Sequence, residues 1–332
     1  MADLSFSTDD LARMRFCVSP MWQVGTSFRL LRSGVADPLH RRWLDQVRPR
    51  VTAAGLDRGW LSDLIPPGAG YVPDFLNPAP PGPAPTLSEE LAAVAATTPE
   101  RVRRDLEHLR HHEGRLTGRL RALHADPRRG LERLAEEIEA YWELALAPYW
   151  TRVRALLDAD VRHRARQAAE HGAGHLFNDL HPLASWHENV LRLVHRRPRT
   201  FTRAAAGGGL VLVPCAFKGP GLSTLVAPSQ PPQLAYRARG AGTLWEPRTA
   251  TGTAALVAVL GRTRTLLLAE LDAPATTTEL AARTGASMAA VSQNLTALRD
   301  AGLVTAHRTG RTVLYARTET GEALLTPFAS AS

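Results

Sequence analysis

The sequence predicts a mostly helical α+β protein. A helical N-terminal region with a small antiparallel sheet precedes a C-terminal group of helices that ends in a β-hairpin. Three observations predict this class. Apolar residues recur at helical spacing through most of residues 1–174. Short apolar runs separated by Gly and Pro occupy residues 190–236. Helical spacing returns after residue 253 and is followed by two alternating runs. We therefore expect two domains, 1–250 and 251–332.

Capping residues and prolines indicate where the N-terminal helices begin. Ser7–Asp10 places a hydroxyl cap and acidic residues at the start of a helix that we expect to continue to Val18. Thr98–Glu100 and Asp126–Pro127 each combine a cap with a proline in the first turn. The second of these begins the longest helical run in the chain. Pro148 should break that run, because proline removes a helical hydrogen bond.

Four aromatic residues surround the expected break: Tyr141, Trp142, Tyr149 and Trp150. Core packing is the preferred interpretation of this cluster. The alternative is a pocket for a small apolar or aromatic effector, since ligand pockets are commonly lined by aromatic side chains.

Short apolar runs after Gly174 predict the strands of the sheet. They are Val190–Val194, Leu210–Val213, Leu222–Val226 and Leu234–Tyr236. Gly240–Gly242 and Glu246–Pro247 follow them and indicate a hinge before the C-terminal domain.

The segment 276–300 reads as two helices joined by a tight turn. Gly285 lies at the break, where a residue tolerant of positive φ ends a helix at little cost. Ser287 is a suitable N-cap for the next helix. In that helix Val291, Leu295 and Leu298 recur at helical spacing, which predicts one buried stripe.

The opposite face of this second helix is polar and compact. It carries Ala289, Ser292, Gln293 and Thr296, and Asn294 lies between the two faces. A helix with one apolar side and one small, hydrogen-bonding side is suited to the major groove of DNA.

Two short alternating runs follow the helix pair and predict a hairpin. Leu303–Thr305 and Thr312–Tyr315 are the strands, and residues 307–311 are the expected turn. Arg308 and Arg311 flank a glycine at its tip. Their guanidinium groups are placed to reach phosphates or a minor groove.

This C-terminal region resembles the winged helix-turn-helix of the ArsR-type bacterial transcription regulators. The resemblance covers about residues 253–330 and is carried by SMAAVSQNLTALRDAGLV, AHRTGRTVLYA and ETGEALL, with ALVAVLGRTRTLLLAEL similar to the two opening helices of the family. The phrases DLARMRFCVSP and LAYRARGAGTLW resemble long actinobacterial members that carry an additional N-terminal domain.

The resemblance implies a homodimeric DNA-binding regulator, with repression as the expected role. Residues 287–300 would be the recognition helix and 303–316 the wing, and the operator would be partly palindromic. The implied DNA-binding residues are Ser287, Ala289, Ser292, Gln293, Asn294, Thr296, Arg283, Arg308 and Arg311. The last helix, 319–328, and the segment 254–260 are the expected dimer surface.

The sequence departs from the family at two kinds of position. A basic residue is frequent in the family at Gln293 or the next position, and neither residue is basic here. The helix 279–283 has no cysteine, and residues 318–331 contain no His or Asp, so both known metal-sensing arrangements are missing. We expect no metal and no cofactor.

The amino-acid composition constrains the fold and the function less strongly than these motifs do. The chain has 332 residues, 44% of them hydrophobic, which is ample for two cores. A net charge of +8 favours a polyanionic partner. However, only Lys218 among the 40 basic residues is a lysine, and this arginine excess is typical of a high-GC genome. Cys17 and Cys215 are far apart, and no apolar run could span a bilayer. We expect a cytoplasmic protein without membrane attachment.

Motifs for catalysis are missing from the sequence. We find no Gly-x-Ser-x-Gly elbow, no Walker loop and no dinucleotide fingerprint. His108 and His112 stand one helical turn apart and could chelate a metal together. An enzyme or metal-dependent N-terminal module that carries a DNA-targeting domain is therefore the alternative, and a non-enzymatic regulator is the prediction.

Overall fold

The computed structural model describes residues 2–34, 37–68, 71–194, 201–203, 208–227, 230–245, 253–310 and 312–325. They divide into two compact units, unit 1 (1–139 and 155–242) and unit 2 (140–154 and 243–332). The predicted fold class, mostly helical with small sheets and a C-terminal winged helix-turn-helix, is confirmed. The predicted boundary at 250/251 lies outside the described residues and stays a prediction.

Nine helices carry most of the described N-terminal half of the chain. They are α1 (Thr8–Ala12), α2 (Pro20–Arg32), α3 (Arg41–Ala53), α4 (Trp60–Leu64), α5 (Leu87–Ala95), α6 (Pro99–Glu113), α7 (Gly118–Ala125), α8 (Pro127–Ala145) and α9 (Trp150–Leu180). A short 3-10 turn, Ala147–Tyr149, separates α8 from α9 at the predicted break. The last residues of α8 and the first of α9 belong to unit 2.

Helix α1 is shorter than the sequence suggested. Ser7 caps it as expected, and its hydroxyl oxygen accepts a hydrogen bond from the Asp10 amide at 3.1 Å. The helix ends at Ala12, however, and does not continue to Val18. The reason is a competing long-range pairing, since Arg15–Phe16 form a strand beside residues 211–212.

Unit 1 contains two four-stranded sheets. The first has the order β3 (Ala184–His187), β4 (Val190–Leu193), β1 (Ala2–Ser5), β5 (Phe201–Arg203). The second has the order β2 (Arg15–Phe16), β6 (Val211–Cys215), β8 (Gln233–Arg237), β7 (Ser223–Leu225). Both sheets mix parallel and antiparallel pairs, whereas the sequence suggested one antiparallel sheet.

The two central strands of the second sheet, β6 and β8, are buried on both faces. Leu210, Leu212 and Tyr236 belong to one apolar cluster, while Val211 and Val213 belong to another. A strand covered on both sides needs a continuous apolar run, which is the pattern at 210–213.

Unit 2 contains the elements of a winged helix. After β8 the described chain continues with α10 (Thr253–Leu260), α11 (Arg262–Glu270), α12 (Thr277–Thr284), α13 (Met288–Asp300), β9 (Val304–Thr309), β10 (Thr312–Arg317) and α14 (Glu319–Leu325). Its core joins leucines of α11 to Val291, Leu295 and Leu298 of α13 and to Leu325 of α14. Across the described residues, no helix is both long and apolar enough to cross a membrane.

Helix α14 approaches the rest of unit 2 closely at Gly321. A Cβ atom there would overlap the carbonyl oxygen of Leu303, which already accepts a hydrogen bond from the Thr318 amide at 3.1 Å. We predict that Gly321→Ala lowers the free energy of unfolding by about 2 kcal/mol or more, because backbone atoms must move.

The matched control is a Gly→Ala substitution at a position where the new Cβ atom would meet no neighbouring atom. Gly25 lies inside α2, and nothing approaches the position of its Cβ within 4 Å. Gly25→Ala should raise the free energy of unfolding by about 0.5–1 kcal/mol, since alanine is the better helix former. Urea denaturation measures the free energy of unfolding of both variants. A change of the same sign in both would contradict this account of Gly321.

Candidate nucleic-acid interface

Helix α12 begins with a reciprocal cap. The Thr276 amide donates to Glu279 Oε2 at 2.7 Å, and the Glu279 amide donates to Thr276 Oγ1 at 3.2 Å. This capping box was not predicted from the sequence, although Thr-x-x-Glu before an apolar residue is its known signature. The helix ends at Gly285, whose φ of 69° is the left-handed conformation expected there.

Helix α13 follows after a three-residue turn and has the predicted cap. Ser287 Oγ accepts a hydrogen bond from the Ala290 amide at 3.2 Å. Val291, Leu295 and Leu298 are buried, so the apolar stripe fixes which side of the helix faces outward. The cap and stripe together position the predicted recognition face.

The outward face of α13 is exposed and small. Ser287, Ala289, Ser292, Gln293 and Thr296 are all exposed to solvent. In the described part of the chain, no side-chain hydrogen bond involves Ser292, Gln293 or Thr296. These three side chains could therefore bond to a partner molecule without breaking an existing contact.

Asn294 differs from its neighbours on this helix. It is half-buried, and its Nδ2 donates a hydrogen bond of 2.8 Å to the carbonyl of Ala290, one turn earlier. A side chain that bonds back to its own helix is less available for base recognition. A role for Asn294 in DNA binding stays a prediction.

The hairpin has a tighter turn than the sequence suggested. Thr309 pairs with Thr312, so His307 and Arg308 lie within β9 and not in the turn. Arg308 is exposed, and its Nε lies 3.4 Å from the Gly310 carbonyl oxygen. Arg311 lies outside the described residues. Arg283 is exposed on α12, where it donates a long bond of 3.4 Å to the Glu270 carbonyl.

Residues 140–154 support the base of the hairpin. The Ala147–Tyr149 turn contacts both β9 and β10. The Arg152 guanidinium donates a hydrogen bond of 2.6 Å to the carbonyl of Asp272, in the loop before α12. This contribution from a distant segment was not predicted, because nothing in a local pattern marks it.

His307 connects the hairpin to the same segment. Its Nδ1 lies 3.8 Å from Glu143 Oε2, and its Nε2 lies 3.0 Å from the Thr305 hydroxyl oxygen. Burial lowers the pKa of His307, and the nearby Glu143 carboxylate opposes that shift. The ring is thus held largely neutral near physiological pH.

The four aromatic residues around the break are tightly packed. Tyr141, Trp142 and Tyr149 are buried, and the rings of Trp142 and Trp150 meet edge to face at 4.8 Å. The cavity beside Tyr149 measures about 20 Å³, the space of one water molecule. The alternative role of this cluster as an effector pocket stays a prediction.

The histidines predicted as a candidate metal pair lie on α6. The rings of His108 and His112 are stacked with centroids 6.4 Å apart, and Tyr71 stacks on His112. In the part of the chain that the structure describes, no three His, Cys, Asp or Glu side chains form a group that could hold a metal ion.

Two packed helices with an exposed second helix, followed by a β-hairpin, define a winged helix-turn-helix domain. A family model described as a helix-turn-helix domain matches residues 262–307. The C-terminal region is therefore a helix-turn-helix domain of the kind found in DNA-binding regulators, as predicted. A second model, a family of unknown function (DUF5937), matches residues 97–242. Neither the curated proteins nor the solved structures gave a match.

The contact of His307 with Glu143 predicts a pH dependence. The folded-state pKa of His307 lies below its ordinary value of 6.5, so the unfolded chain takes up the proton first as the pH falls. The free energy of unfolding should therefore decrease below about pH 6.5 through this group. His307→Gln should remove that component.

Glu143→Gln provides the matched comparison. It removes the carboxylate that favours the charged ring, so the pKa of His307 should fall further and the loss of stability in acid should become steeper. Denaturant unfolding between pH 5.5 and 8, followed by tryptophan fluorescence, measures both slopes. Identical slopes in the wild type and both variants would refute the coupling.

Proposed function

We propose that this protein is a transcription regulator that binds double-stranded DNA with α13 in the major groove. The observation that carries the proposal is the outward face of α13, which is exposed and carries no bulky charge. Among the described residues, Ser292, Gln293 and Thr296 form no side-chain hydrogen bond. The match of a helix-turn-helix family model to residues 262–307 supports the same conclusion.

Gln293 is the proposed base-reading residue. A side-chain amide can bond simultaneously to N6 and N7 of adenine. Ser287 caps the start of the helix, where the first amides and the helix dipole favour a phosphate. Ala289, Ser292 and Thr296 keep the face narrow enough for close approach to base edges.

The wing is the proposed contact to the DNA backbone. Arg308 is exposed on β9 next to the turn, and Arg311 directly precedes Thr312 in the sequence. Arg283 on α12 is also exposed and adds a further guanidinium. Such contacts fix register and contribute affinity without reading sequence.

We infer a homodimer on a partly palindromic operator. One helix reads too few base pairs for useful selectivity, and two related helices about 34 Å apart would read successive major grooves. Apolar side chains are exposed near the two ends of the domain, namely Val259 on α10, 80% exposed, and Leu324 on α14, 37% exposed. We propose that these two side chains contact a symmetric partner.

The finer assignment is an ArsR-type repressor that acts without catalysis. The resemblance of residues 253–330 to that family supports it, and occupation of an operator is the simplest way for a compact dimer to block transcription. An effector would release the DNA only by binding the competent and incompetent states with different affinity.

The wing assignment predicts the salt dependence of DNA binding. With a DNA fragment selected from a random pool, Arg308→Ala plus Arg311→Ala should reduce the slope of log K against log salt by about 2, because each lost phosphate contact removes about 0.9. Gln293→Ala should instead relax base preference by about 1–3 kcal/mol at one position. Mobility shifts at several salt concentrations measure both effects.

A control pair with the same charge change tests specificity. Arg41 and Arg128 are exposed in unit 1, with side chains 84% and 91% accessible. Arg41→Ala plus Arg128→Ala should leave the salt slope unchanged. If the wing variant behaves like this control, the wing does not contact DNA.

The dimer assignment predicts the effect of charge at the apolar surface. Val259→Asp plus Leu324→Asp should convert a dimer to a monomer in sedimentation velocity, because two buried carboxylates cannot be paired there. Thr278→Asp plus Ala282→Asp, on the exposed face of α12, adds the same charge and should leave the dimer intact. A wild-type monomer, or dissociation of both variants, would count against the surface.

A further inference from the structure

A basic cleft lies in unit 1 at the corner between α6 and α7. Its volume is about 840 Å³, and its walls are the end of α6, the loop 114–117 and the first turns of α7. The whole cleft falls within residues 97–242, the region matched by the family of unknown function. Neither the DNA-binding face nor the aromatic cluster includes any part of it.

The cleft has an excess of positive charge. Arg110, Arg115, Arg121 and His124 line it, and Glu107 is the one acid among its lining residues. Glu107 contacts two of the bases, with Oε2 2.6 Å from an Arg110 nitrogen and Oε1 3.3 Å from His124 Nε2. Arg115 and Arg121 form no ion pair with any described residue, so the cleft keeps two uncompensated guanidinium groups.

Side-chain hydrogen bonds and an ion pair hold the loop between α6 and α7 in place. The Thr117 hydroxyl accepts from the Leu120 amide at 3.3 Å and donates to Asp63 Oδ2 at 2.8 Å. Arg119 Nε lies 2.9 Å from the same Asp63 oxygen, so the charge of this carboxylate is already compensated. These contacts fix the start of α7 at the wall of the cleft.

The start of α7 strengthens the attraction for anions. The first amides of a helix have no acceptor within the helix, and the helix dipole places partial positive charge there. Gly118 begins α7 and lines the cleft, so its backbone is open to close approach. Helix starts combined with arginine are a common arrangement for phosphate groups.

We propose that this cleft binds a small, multiply charged anion of the phosphate-ester class. Its volume falls in the range of small-molecule sites, about 300–1,000 Å³. Two free guanidinium groups and a helix start match the several oxygens of a phosphorylated metabolite. This chemistry differs from the apolar or aromatic ligand that the sequence suggested for the Tyr141–Trp150 cluster.

The experiment measures uptake of inorganic pyrophosphate by the full-length protein, by isothermal titration calorimetry at low salt. Arg115→Ser plus Arg121→Ser should weaken binding at least tenfold, since two charge-assisted contacts are lost. Arg41→Ser plus Arg128→Ser carries the same charge change outside the cleft and should bind within twofold of wild type. Equal affinity of the two variants, or no uptake by the wild type at millimolar pyrophosphate, overturns the proposal.

A second measurement distinguishes a small anion from a nucleic-acid backbone. A non-specific DNA duplex is titrated into the same proteins. If the cleft variant reduces the salt slope of duplex binding by about 2 while pyrophosphate does not compete, the cleft contacts DNA and the small-ligand proposal fails. Because Arg115 and Arg121 are exposed, their substitution should leave the melting temperature unchanged. An unchanged melting temperature shows that the loss of binding does not come from unfolding. The pyrophosphate titration contains no DNA, so its failure would leave the proposed regulator function intact.

Discussion

The outward position of the polar face of α13 depends on three buried side chains of the same helix. Val291, Leu295 and Leu298 are each within 1% of full burial and belong to the core of unit 2. Burial of each such side chain stabilises the fold by about 1.5–3 kcal/mol. Rotation of the helix by two residues, about 200°, would expose this stripe and turn Gln293 inward. The polar face therefore stays exposed, because turning it inward would bring the apolar stripe into contact with water.

The hairpin depends on the same core through a different route. Leu314 is fully buried on β10, while Arg308 on the paired strand is exposed. Alternation along a strand sends neighbouring residues to opposite faces, so the core that buries one side also determines what the other side offers to a partner. The Ala147–Tyr149 turn adds a second layer of support at the base of the strands.

Local signals were enough to predict the helix-turn-helix. The cap at Ser287, the glycine at 285 and the stripe of α13 all lie within one short segment, and the structure has each of them as predicted. Apart from the capping box of α12, the main features that were missed depend on residues distant in sequence. The pairing of Arg15–Phe16 with β6 and the contact of His307 with Glu143 leave no periodic pattern, and parallel strand pairs have no adjoining turn to reveal them.

The arginine content was the feature of the sequence that predicted least about function. The structure distinguishes buried arginines, which form ion pairs inside the fold, from exposed ones. Arg317 is 3% exposed and lies 3.1 Å from Glu322, while Arg164 is 5% exposed and lies 2.6 Å from Asp179. These side chains are internal structural ties. Arg115 and Arg121 are exposed and form no ion pair with any residue in the described ranges, and only geometry distinguishes the two groups.

The chain passes between the two units three times, near residues 139, 154 and 242. The helix-turn-helix is thus completed by an insert that originates more than a hundred positions upstream. Recombination at a single point before α10 would import the DNA reader without Glu143, Tyr149 and Arg152. This architecture does not permit simple exchange of modules, and the two units of such chains should be inherited together.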